Sequence, residues 1–463
     1  MRSMQLFRDT QAVMPARESM WRDGAISMLI AFRAANVRSF REPFELSLLA
    51  TRLAEEGVPR DVPWREDGHP ISVLPVAGIF GANASGKSNV LQAMFEMRAF
   101  VLESFRQGSP GSSLPTNPFL LGGGDGEETP STYSVDLVLN GVRHEYGFSV
   151  DSEQIVEEWA RSYPRGRSVL LLRREGDEIQ LGSRHRARGR ATEEILRPNA
   201  LFLSTAAATN HPDFLPLYEW FQRNLFYADV RTRGARQGIT ATLLEEEDRR
   251  EQVLALLREA DLGVTDVARR EFEPEVKEKL EKMLDVIRGE DAEDEVPELK
   301  IDEFELRMKH RVGDGEVELN FGQESWGTLI WFGMIGLVLE ALRQGTVLLA
   351  DELESSLHPN LVTLLVDLFQ SPHSNPRRAQ LVFNSHEVTL MGDSAERPLG
   401  RDQIWLTEKE EDGSTRLYSL ADLGPRREES VARRYLAGRY GATPIISRRR
   451  LEEIAEPTGD PQS

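Results

Sequence analysis

The sequence predicts an α/β fold built around a phosphate-binding loop, and three features of residues 76–94 indicate it. The apolar run Val76–Phe80 is typical of a short buried strand. Gly81–Ser88 then fits the pattern G-x-x-x-x-G-K-[ST], and Ser88–Met94 begins a helical pattern. Strand, glycine loop and helix in this order are the context that this motif requires. A glycine turn that binds no ligand is the alternative for this stretch.

The residue types in the loop suit the binding of a nucleotide phosphate. Gly81 and Gly86 let the backbone turn tightly, so that its N–H groups face a phosphate. Lys87 is placed to reach the β- and γ-phosphates, and Ser88 to hold Mg²⁺. The candidate residues for binding ATP in this loop are Gly81, Asn83, Ala84, Ser85, Gly86, Lys87, Ser88 and Asn89.

Composition excludes several classes of protein. The 463 residues carry 56 basic and 76 acidic side chains, a formal charge of −20, so any nucleic-acid surface would have to be local. The absence of cysteine excludes disulfides, cysteine zinc sites and thiol catalysis. We find no apolar run that approaches the roughly 20 residues of a membrane span, and residues 1–27 lack the apolar core of a signal peptide. A cytoplasmic protein without a membrane partner is therefore expected.

Strand patterns predict two strands before the phosphate loop and an antiparallel β lobe inserted after the helix that follows the loop. Residues 28–37 and 44–48 have strand patterns, and apolar residues alternate on both sides of the turn signal Asn140-Gly141. A second hairpin is predicted over 169–181. We expect a flexible arm at 1–27, which an upstream start codon would also explain. The predicted divisions are 28–204, the first half of an ATPase head with the β lobe; 205–300, a helical insertion; 301–446, the second half; and 447–463, a flexible tail.

Three further stretches carry local predictions. A helix is predicted over 213–225, and residues 248–289 read as strongly helical, with an amphipathic stripe from Val276 to Ile287 that we interpret as core packing. The basic run Gly182–Arg190 is interpreted as a solvated loop. A loop that contacts nucleic-acid phosphates is the alternative, because clustered arginines neutralise backbone charge whatever the net charge.

The second half of the site is predicted where two further strands end. The apolar run 347–350 is followed by Asp351 and Glu352, and ligands of parallel sheets bind at the carboxyl ends of the strands. Asp351 is placed to hold Mg²⁺ together with Ser88, and Glu352 to polarise a water that attacks the γ-phosphate. Two acids that simply cap a strand are the alternative. His386 ends the next apolar run and is predicted to contact the γ-phosphate or the attacking water, which makes Lys87, Glu352 and His386 the catalytic candidates.

The segment Gly322–Thr328 precedes an apolar helix and offers another anion-binding helix start. Ser325 and Gly327 are its candidate ligands. One ATP does not need two such cradles from one protomer. We therefore expect Ser325 and Gly327 to close on the ATP of a second copy, in a head-to-tail dimer or a higher oligomer.

These pieces, in this order, resemble the ABC-type ATPase heads of the SMC-like and RecF-like superfamily. GANASGKSN corresponds to the Walker A loop, QESWGT to a degenerate signature, LLADE to Walker B, ESSLHP to the D-loop and NSH to the switch histidine. The opening FRAANVRSFREPFELSL is similar to the first strands of that superfamily. The resemblance implies a P-loop NTPase of ABC-ATPase-head type with an antiparallel β lobe and a helical insertion. It also implies ATP and Mg²⁺ as ligands.

A narrower resemblance is to stand-alone ATPases of bacterial abortive-infection and phage-defence loci. It rests on DELESSLHP, on FLLGG…PSTYSVDLVLNGVRHEYGF and on YLAGRYGATPII, and these stretches are similar to the OLD-family ATPase domain and to the ATPase subunits of PARIS, Septu and RloAB-type systems. The chain departs from OLD proteins because only 77 residues (463 − 386) follow His386, too few for their nuclease. No residue after the first helix stands out as a glutamine loop.

The leading hypothesis is therefore an ATP-hydrolysing regulatory subunit of an anti-phage defence system. Its nucleotide state would control a separate effector, such as a nuclease or toxin, and a phage protein or DNA would be the trigger. The alternative is a RecF/SMC-like DNA-repair ATPase that clamps DNA in the ATP state. A purely structural scaffold would require a dead site, which the set Lys87, Ser88, Asp351 and Glu352 argues against.

Overall fold

Two large sheets share helix α1, which runs from Lys87 to Glu103. The structure, a computed structural model, describes residues 27–106, 109, 111–121, 125–260, 262–271, 304–392 and 398–444. The strands of these parts are β1 Ser27–Ala35, β2 Phe44–Ser47, β3 Arg60–Val62, β4 Ile71–Val73, β5 Val76–Gly81, β6 Ser131–Leu139, β7 Val142–Val150, β8 Ile155–Ser162, β9 Val169–Glu175, β10 Glu178–Leu181, β11 Leu225–Ala228, β12 Val264–Glu271, β13 Phe304–Val312, β14 Gly315–Asn320, β15 Val347–Ala350, β16 Gln380–Asn384, β17 Ile404–Lys409 and β18 Thr415–Ser419. After α1, the helices are α2 Asp125–Glu128, α3 Arg186–Ile195, α4 Phe202–Ala208, α5 Leu215–Arg223, α6 Arg233–Leu243, α7 Glu247–Glu259, α8 Trp326–Gln344, α9 Pro359–Gln370 and α10 Val431–Leu436.

The first large sheet is antiparallel and has the order β10-β9-β8-β7-β6-β1-β2. Its central hairpin turns at Asn140 and Gly141, both with positive φ (52° and 77°), and pairs Leu139 with Val142. Two successive positive φ values are the signature of the type I′ turn that Asn-Gly favours. Both hairpins predicted from alternation, 133–148 and 169–181, are therefore confirmed.

The second large sheet has the order β11-β15-β16-β5-β17-β18, parallel except for β18. Strands β5, β15 and β16 are buried along their whole length, because helices cover both faces of a parallel sheet. Their carboxyl ends carry Gly81, Asp351 and Ser385. A parallel sheet that ends in a phosphate-loop motif confirms the predicted α/β class.

Helix α8 is the long apolar element of the second half. It packs against α6, where Thr240 Oγ1 donates to Phe332 O at 2.6 Å and accepts from Gly336 N at 3.1 Å. A Cβ at Gly336 would lie 2.5 Å from that hydroxyl, so only glycine allows this approach. Its 19 residues are long and apolar enough to cross a membrane, against our expectation of no such run. However, 78% of its most apolar window is buried inside the protein, as for a core helix.

Two local predictions are wrong. Residues 264–271 were expected to be helical but form β12, which pairs with β13, because α7 ends at Glu259 and Gly263 takes a positive φ of 73°. The basic run 182–190 was expected to be a loop, but from Arg186 onward it is helix α3, on which the arginines remain exposed. The stripe from Val276 to Ile287, the arm 1–26 and the tail 447–463 lie outside the described residues.

Candidate nucleotide-binding site

The glycines of the loop between β5 and α1 are required by close packing against the last two strands. A Cβ at Gly81 would lie 2.4 Å from Thr407 Oγ1, and a Cβ at Gly86 would lie 2.4 Å from Thr415 Oγ1. Gly86 also has a φ of 101°, which L side chains rarely adopt. The loop backbone is therefore held in one shape by strands that follow it by more than 300 positions in the chain.

Hydroxyl groups of neighbouring segments form hydrogen bonds with this loop and stabilise its shape. Ser85 Oγ lies 2.6 Å from Thr407 Oγ1, and Thr415 Oγ1 donates to Ser85 O at 2.9 Å and lies 2.8 Å from the hydroxyl oxygen of Ser39. Asn89 Nδ2 donates to the same Ser39 hydroxyl at 2.7 Å. Ser85 and Asn89 thus support the loop from behind. Asn83 and Ala84 lie exposed at its tip, Ala84 with a φ of 60°.

Lys87 is buried and folds back over the loop. Its Nζ donates to the carbonyl oxygens of Gly81 and Ala82, both at 3.0 Å. Burial lowers the pKa of this ammonium, while nearby Glu354, Glu352 and Asp351 act in the opposite direction. A buried cation that is held only by neutral carbonyls has the capacity to take an anion at this point.

Asn384 joins the two predicted magnesium ligands. Its Nδ2 donates to Ser88 Oγ at 3.2 Å and to Asp351 Oδ1, and its Oδ1 accepts from Glu352 N at 2.7 Å. Tyr227 OH donates to the other oxygen of Asp351 at 3.2 Å, and burial raises the pKa of this phenol. A serine hydroxyl beside a carboxylate is the all-oxygen donor set that suits Mg²⁺.

Glu352 lies two residues after the end of β15, and its side chain is exposed. Its φ of 52° places it in the left-handed region, which is uncommon for glutamate and costs free energy. The hydrogen bond from its N–H to Asn384 holds this conformation. An exposed carboxylate beside the predicted metal ligands has the position that a base for an attacking water requires.

His386 follows β16 and is exposed beside Glu354. Its backbone N–H donates to Glu354 Oε1 at 2.7 Å, while Glu354 Oε2 is buried without a hydrogen-bond partner in the described part of the chain. Although His386 is largely exposed, the partial burial of its imidazole lowers the pKa of the ring, with Lys87 acting in the same direction and Glu354 and Glu352 opposing it. The structure thus brings Lys87, Asp351, Glu352 and His386 to one edge of the sheet.

Ser325 and Gly327 lie at the start of α8 and, in the described residues, contact other parts of the chain than the phosphate loop. Ser325 is the N-cap of the helix, and its Oγ accepts from Thr328 N at 3.1 Å. A Cβ at Gly327 would lie 2.8 Å from Ser356 O, so this glycine permits close packing against the loop that follows Glu352. Each residue therefore already has a structural role within one chain.

The sequence prediction missed four residues of the site. Asn384 and Tyr227 become neighbours of Asp351 only because β16 and β11 flank β15, an order that no local pattern encodes. Glu354 is part of the quoted DELESSLHP stretch, and its acidic character next to Glu352 was an available signal. Thr407 is contributed by a strand to which the sequence analysis gave no role in the site.

Comparison with known proteins places this site within a family. Residues 76–392 match the family described as "AAA domain, putative AbiEii toxin, Type IV TA system". No curated protein matches the chain. Among solved structures, the SMC head bound to the C-winged helix domain of ScpA is 11% identical and aligns over 84% of this chain and 97% of its own, with a TM-score of 0.37. The Smc head of Pyrococcus furiosus, with an extended coiled coil and bound to the C-terminal domain of ScpA, is 10% identical over 86% and 98%, with a TM-score of 0.38.

Proposed function

Because the chain belongs to this family of AAA domains, we propose that it hydrolyses ATP at the edge of the sheet where Lys87, Ser88, Asp351 and Glu352 meet. The observation that carries the proposal is the position of Asn384. It donates to both Ser88 and Asp351 and so holds a hydroxyl and a carboxylate next to the phosphate loop. That pairing has no evident use in a turn that merely joins a strand to a helix.

The residues present fit Mg²⁺ as the metal. Ser88 and Asp351 would hold it, with Asn384 and Tyr227 orienting the carboxylate from outside. When bound, Mg²⁺ neutralises charge on the β- and γ-phosphates. The backbone N–H groups of 81–88 and the Lys87 ammonium bind the same phosphates, and Lys87 exchanges its contacts with Gly81 O and Ala82 O for phosphate oxygens.

Glu352 accepts a proton from the attacking water in this proposal. Its exposed carboxylate and its fixed backbone suit that role. His386, whose pKa is lowered by burial and by Lys87, is neutral at pH 7 and can donate one hydrogen bond to the γ-phosphate or the water. Glu354 positions His386 through the backbone N–H.

We further propose that a second copy of the chain completes the site. Ser325 and Gly327 make their described contacts with Thr328 and Ser356 rather than with the phosphate loop of the same chain. Ser325 and Trp326 are exposed at the start of α8, so this helix start is accessible to the nucleotide of another protomer in a head-to-tail dimer. Closure of such a dimer would depend on ATP, since the nucleotide is the shared ligand.

Steady-state hydrolysis of ATP tests the site. Lys87→Ala and Glu352→Gln are each expected to lower kcat/KM by about 10²- to 10³-fold, the usual loss when a group that stabilises the transition state is removed. Glu178→Gln, at an exposed position on the edge of the antiparallel sheet, is the matched control and should keep wild-type activity. If both site variants hydrolyse ATP like the wild type, the assignment is wrong.

At the biological level, we propose that the chain is the regulatory ATPase of an anti-phage defence system and controls a separate effector. Support comes from the sequence resemblance and from the toxin named in the description of the family. The test is the plating efficiency of phage on cells that carry the chain with its neighbouring genes. Protection that disappears with Lys87→Ala supports the proposal, whereas growth arrest by this chain alone would make it the toxin itself.

One observation favours a DNA-binding ATPase as the second candidate. Arg184, Arg186, Arg188 and Arg190 are all exposed in and just before α3, although the chain carries a net charge of −20. Binding of duplex DNA by Glu352→Gln with ATP tests it. DNA binding that weakens steeply with salt, and whose salt slope falls when these arginines are replaced by alanine, would favour this candidate. Absence of binding at low salt would exclude it.

A further inference from the structure

A cation and an indole ring form a pair beside the start of α8. The guanidinium carbon of Arg233, the first residue of α6, lies 3.9 Å from the centroid of the Trp326 ring. Trp326 is the first residue of α8 and is 49% exposed, which is unusual for a tryptophan. Stacking of this kind holds an arginine in place by its flat face and leaves the N–H groups at its edge free to bind.

The edge of this guanidinium has no partner in the described part of the chain. Arg233 Nη1 is buried and unbonded, and no described carboxylate forms a salt bridge with Arg233. The neighbouring Arg236 is 5% exposed and donates through Nη2 to Asp229 O at 2.9 Å, but its Nε is also buried and unbonded. Two arginines with unpaired N–H groups are costly to keep beside each other unless a ligand uses them.

The pair shares a cavity with the catalytic loop. Arg233, Arg236 and Trp326 line it together with Glu352 and Ser355. In addition, the first turn of α8 touches the loop after Glu352, at Gly327 and Ser356. Arg233 therefore belongs to the same surface as Ser325 and Gly327, the surface that faces a second copy in the proposed function.

The charge of the site indicates what would bind there. Three carboxylates, Asp351, Glu352 and Glu354, surround Lys87, so the chain's own half of the site has few positive charges for a triphosphate. At the start of α8, Glu324 is paired with His310 at 2.6 Å and Ser325 with Thr328. Arg233 is thus the side chain of this surface that offers a free positive charge with the forked geometry that suits phosphate oxygens.

We propose that Arg233, held by Trp326, binds the terminal phosphates of the ATP that sits on the Lys87 loop of a second copy. The inference rests on the proposed function, since it needs the head-to-tail dimer. The alternative is that Arg233 binds the ATP on the phosphate loop of its own chain. In that case Arg233 would affect the affinity of the monomer for ATP, whereas in the proposed arrangement it affects dimerisation.

The experiment separates them by measuring two affinities in the Glu352→Gln background. The first is the affinity of the dilute monomer for ATP, and the second is the affinity of one monomer for another in saturating ATP and Mg²⁺. Adding Arg233→Ala should leave the first unchanged and weaken the second by about 10- to 100-fold, the equivalent of one hydrogen bond to a charged group. Arg233→Lys keeps the positive charge but loses the forked arrangement of N–H groups. Its affinity for a second monomer should therefore lie between that of Arg233→Ala and that of the Glu352→Gln parent.

Arg231→Ala is the matched control, because Arg231 is exposed two positions earlier and lacks the contact with Trp326. It should change neither affinity. If Arg233→Ala lowers the affinity of the monomer for ATP, or if it leaves dimerisation at the Glu352→Gln value, the inference about Arg233 is wrong. If Glu352→Gln itself never dimerises with ATP, the proposed dimer fails first, and this inference fails with it.

Discussion

Charged groups in the antiparallel lobe and charged groups in the nucleotide site differ in how completely they are hydrogen-bonded. In the lobe, Glu158 and Arg174 are almost fully buried and lie 3.9 Å apart. Glu158 accepts hydrogen bonds from Tyr146 OH and from the backbone N–H groups of Phe202 and Leu203 at 2.6–3.0 Å. Arg174 donates to several carbonyl oxygens, including Ala200 O at 2.7 Å.

In the nucleotide site the corresponding groups are only partly satisfied. Glu354 keeps one buried oxygen without a partner in the described residues, Lys87 bonds only to carbonyls, and Glu352 occupies a left-handed backbone conformation. The difference teaches how to separate two kinds of buried charge. A complete set of partners serves stability, whereas an incomplete set at the edge of a parallel sheet indicates a ligand.

The largest expected change in stability comes from breaking the fully bonded pair Glu158 and Arg174. Arg174→Met leaves Glu158 buried without its cation and should lower the free energy of unfolding by about 3–5 kcal/mol, measured by urea denaturation. Arg173→Met, on the same strand, breaks an exposed pair with Glu175 and should cost about 1 kcal/mol or less. Equal losses for both variants would contradict the contrast between buried and exposed pairs.

Removing the Lys87 ammonium from the nucleotide site should weaken the binding of ATP and should not lower the stability of the fold. Lys87→Ala is expected to weaken ATP binding by about 10²- to 10³-fold, because a donor aimed at the phosphates is lost. The free energy of unfolding without nucleotide should stay the same or rise, since the buried ammonium that is removed bonds only to carbonyl oxygens and forms no salt bridge in the described residues. Calorimetric titration and urea denaturation check the two outcomes. A less stable variant that still binds ATP would reverse the roles assigned to the two networks.

Two buried asparagines, Asn384 in the site and Asn375 outside it, allow the same comparison between single residues. Asn384→Ala should weaken the apparent affinity for Mg²⁺ in ATP hydrolysis by about 10- to 100-fold, because Asp351 and Ser88 lose the group that joins them. Asn375→Ala removes only backbone contacts, to Phe369 O and Ala379 O, so it should lower stability and leave the dependence on Mg²⁺ unchanged. The same shift in Mg²⁺ dependence for both variants would remove Asn384 from the site.

The smallest expected effect is a shift in titration. Burial and Lys87 lower the pKa of His386 below the ordinary value of 6.5, so the imidazole should be neutral at pH 7 and gain its proton only as the pH falls through the lowered pKa. Any stability gained from the neutral form is then present above pH 6.5 and lost on acidification. NMR titration of the 8 histidines, with His386→Gln for assignment, measures this pKa. In Lys87→Ala it should move back toward the ordinary value, and a wild-type pKa above 6.5 would contradict the described environment.

Local sequence patterns predicted the features that are determined by residues close together in the sequence. The loop 81–88, the Asn140-Gly141 hairpin and the ends of β15 and β16 follow from residue type and spacing alone. Asn384 and Tyr227 could not be assigned, because their contacts with Asp351 depend on the order of strands in the sheet. The helix expected across 264–271 failed for a similar reason, since pairing with β13 outweighed local helix propensity.

In the proposed function, ATP joins two copies of the chain across one composite site. The direct measurement is the molar mass of Glu352→Gln in solution, by light scattering during size-exclusion chromatography, with and without ATP and Mg²⁺. We predict the monomer mass without nucleotide and twice that mass with it, and no doubling when Lys87→Ala is added. A mass that does not respond to ATP, although the variant binds the nucleotide, would contradict the account.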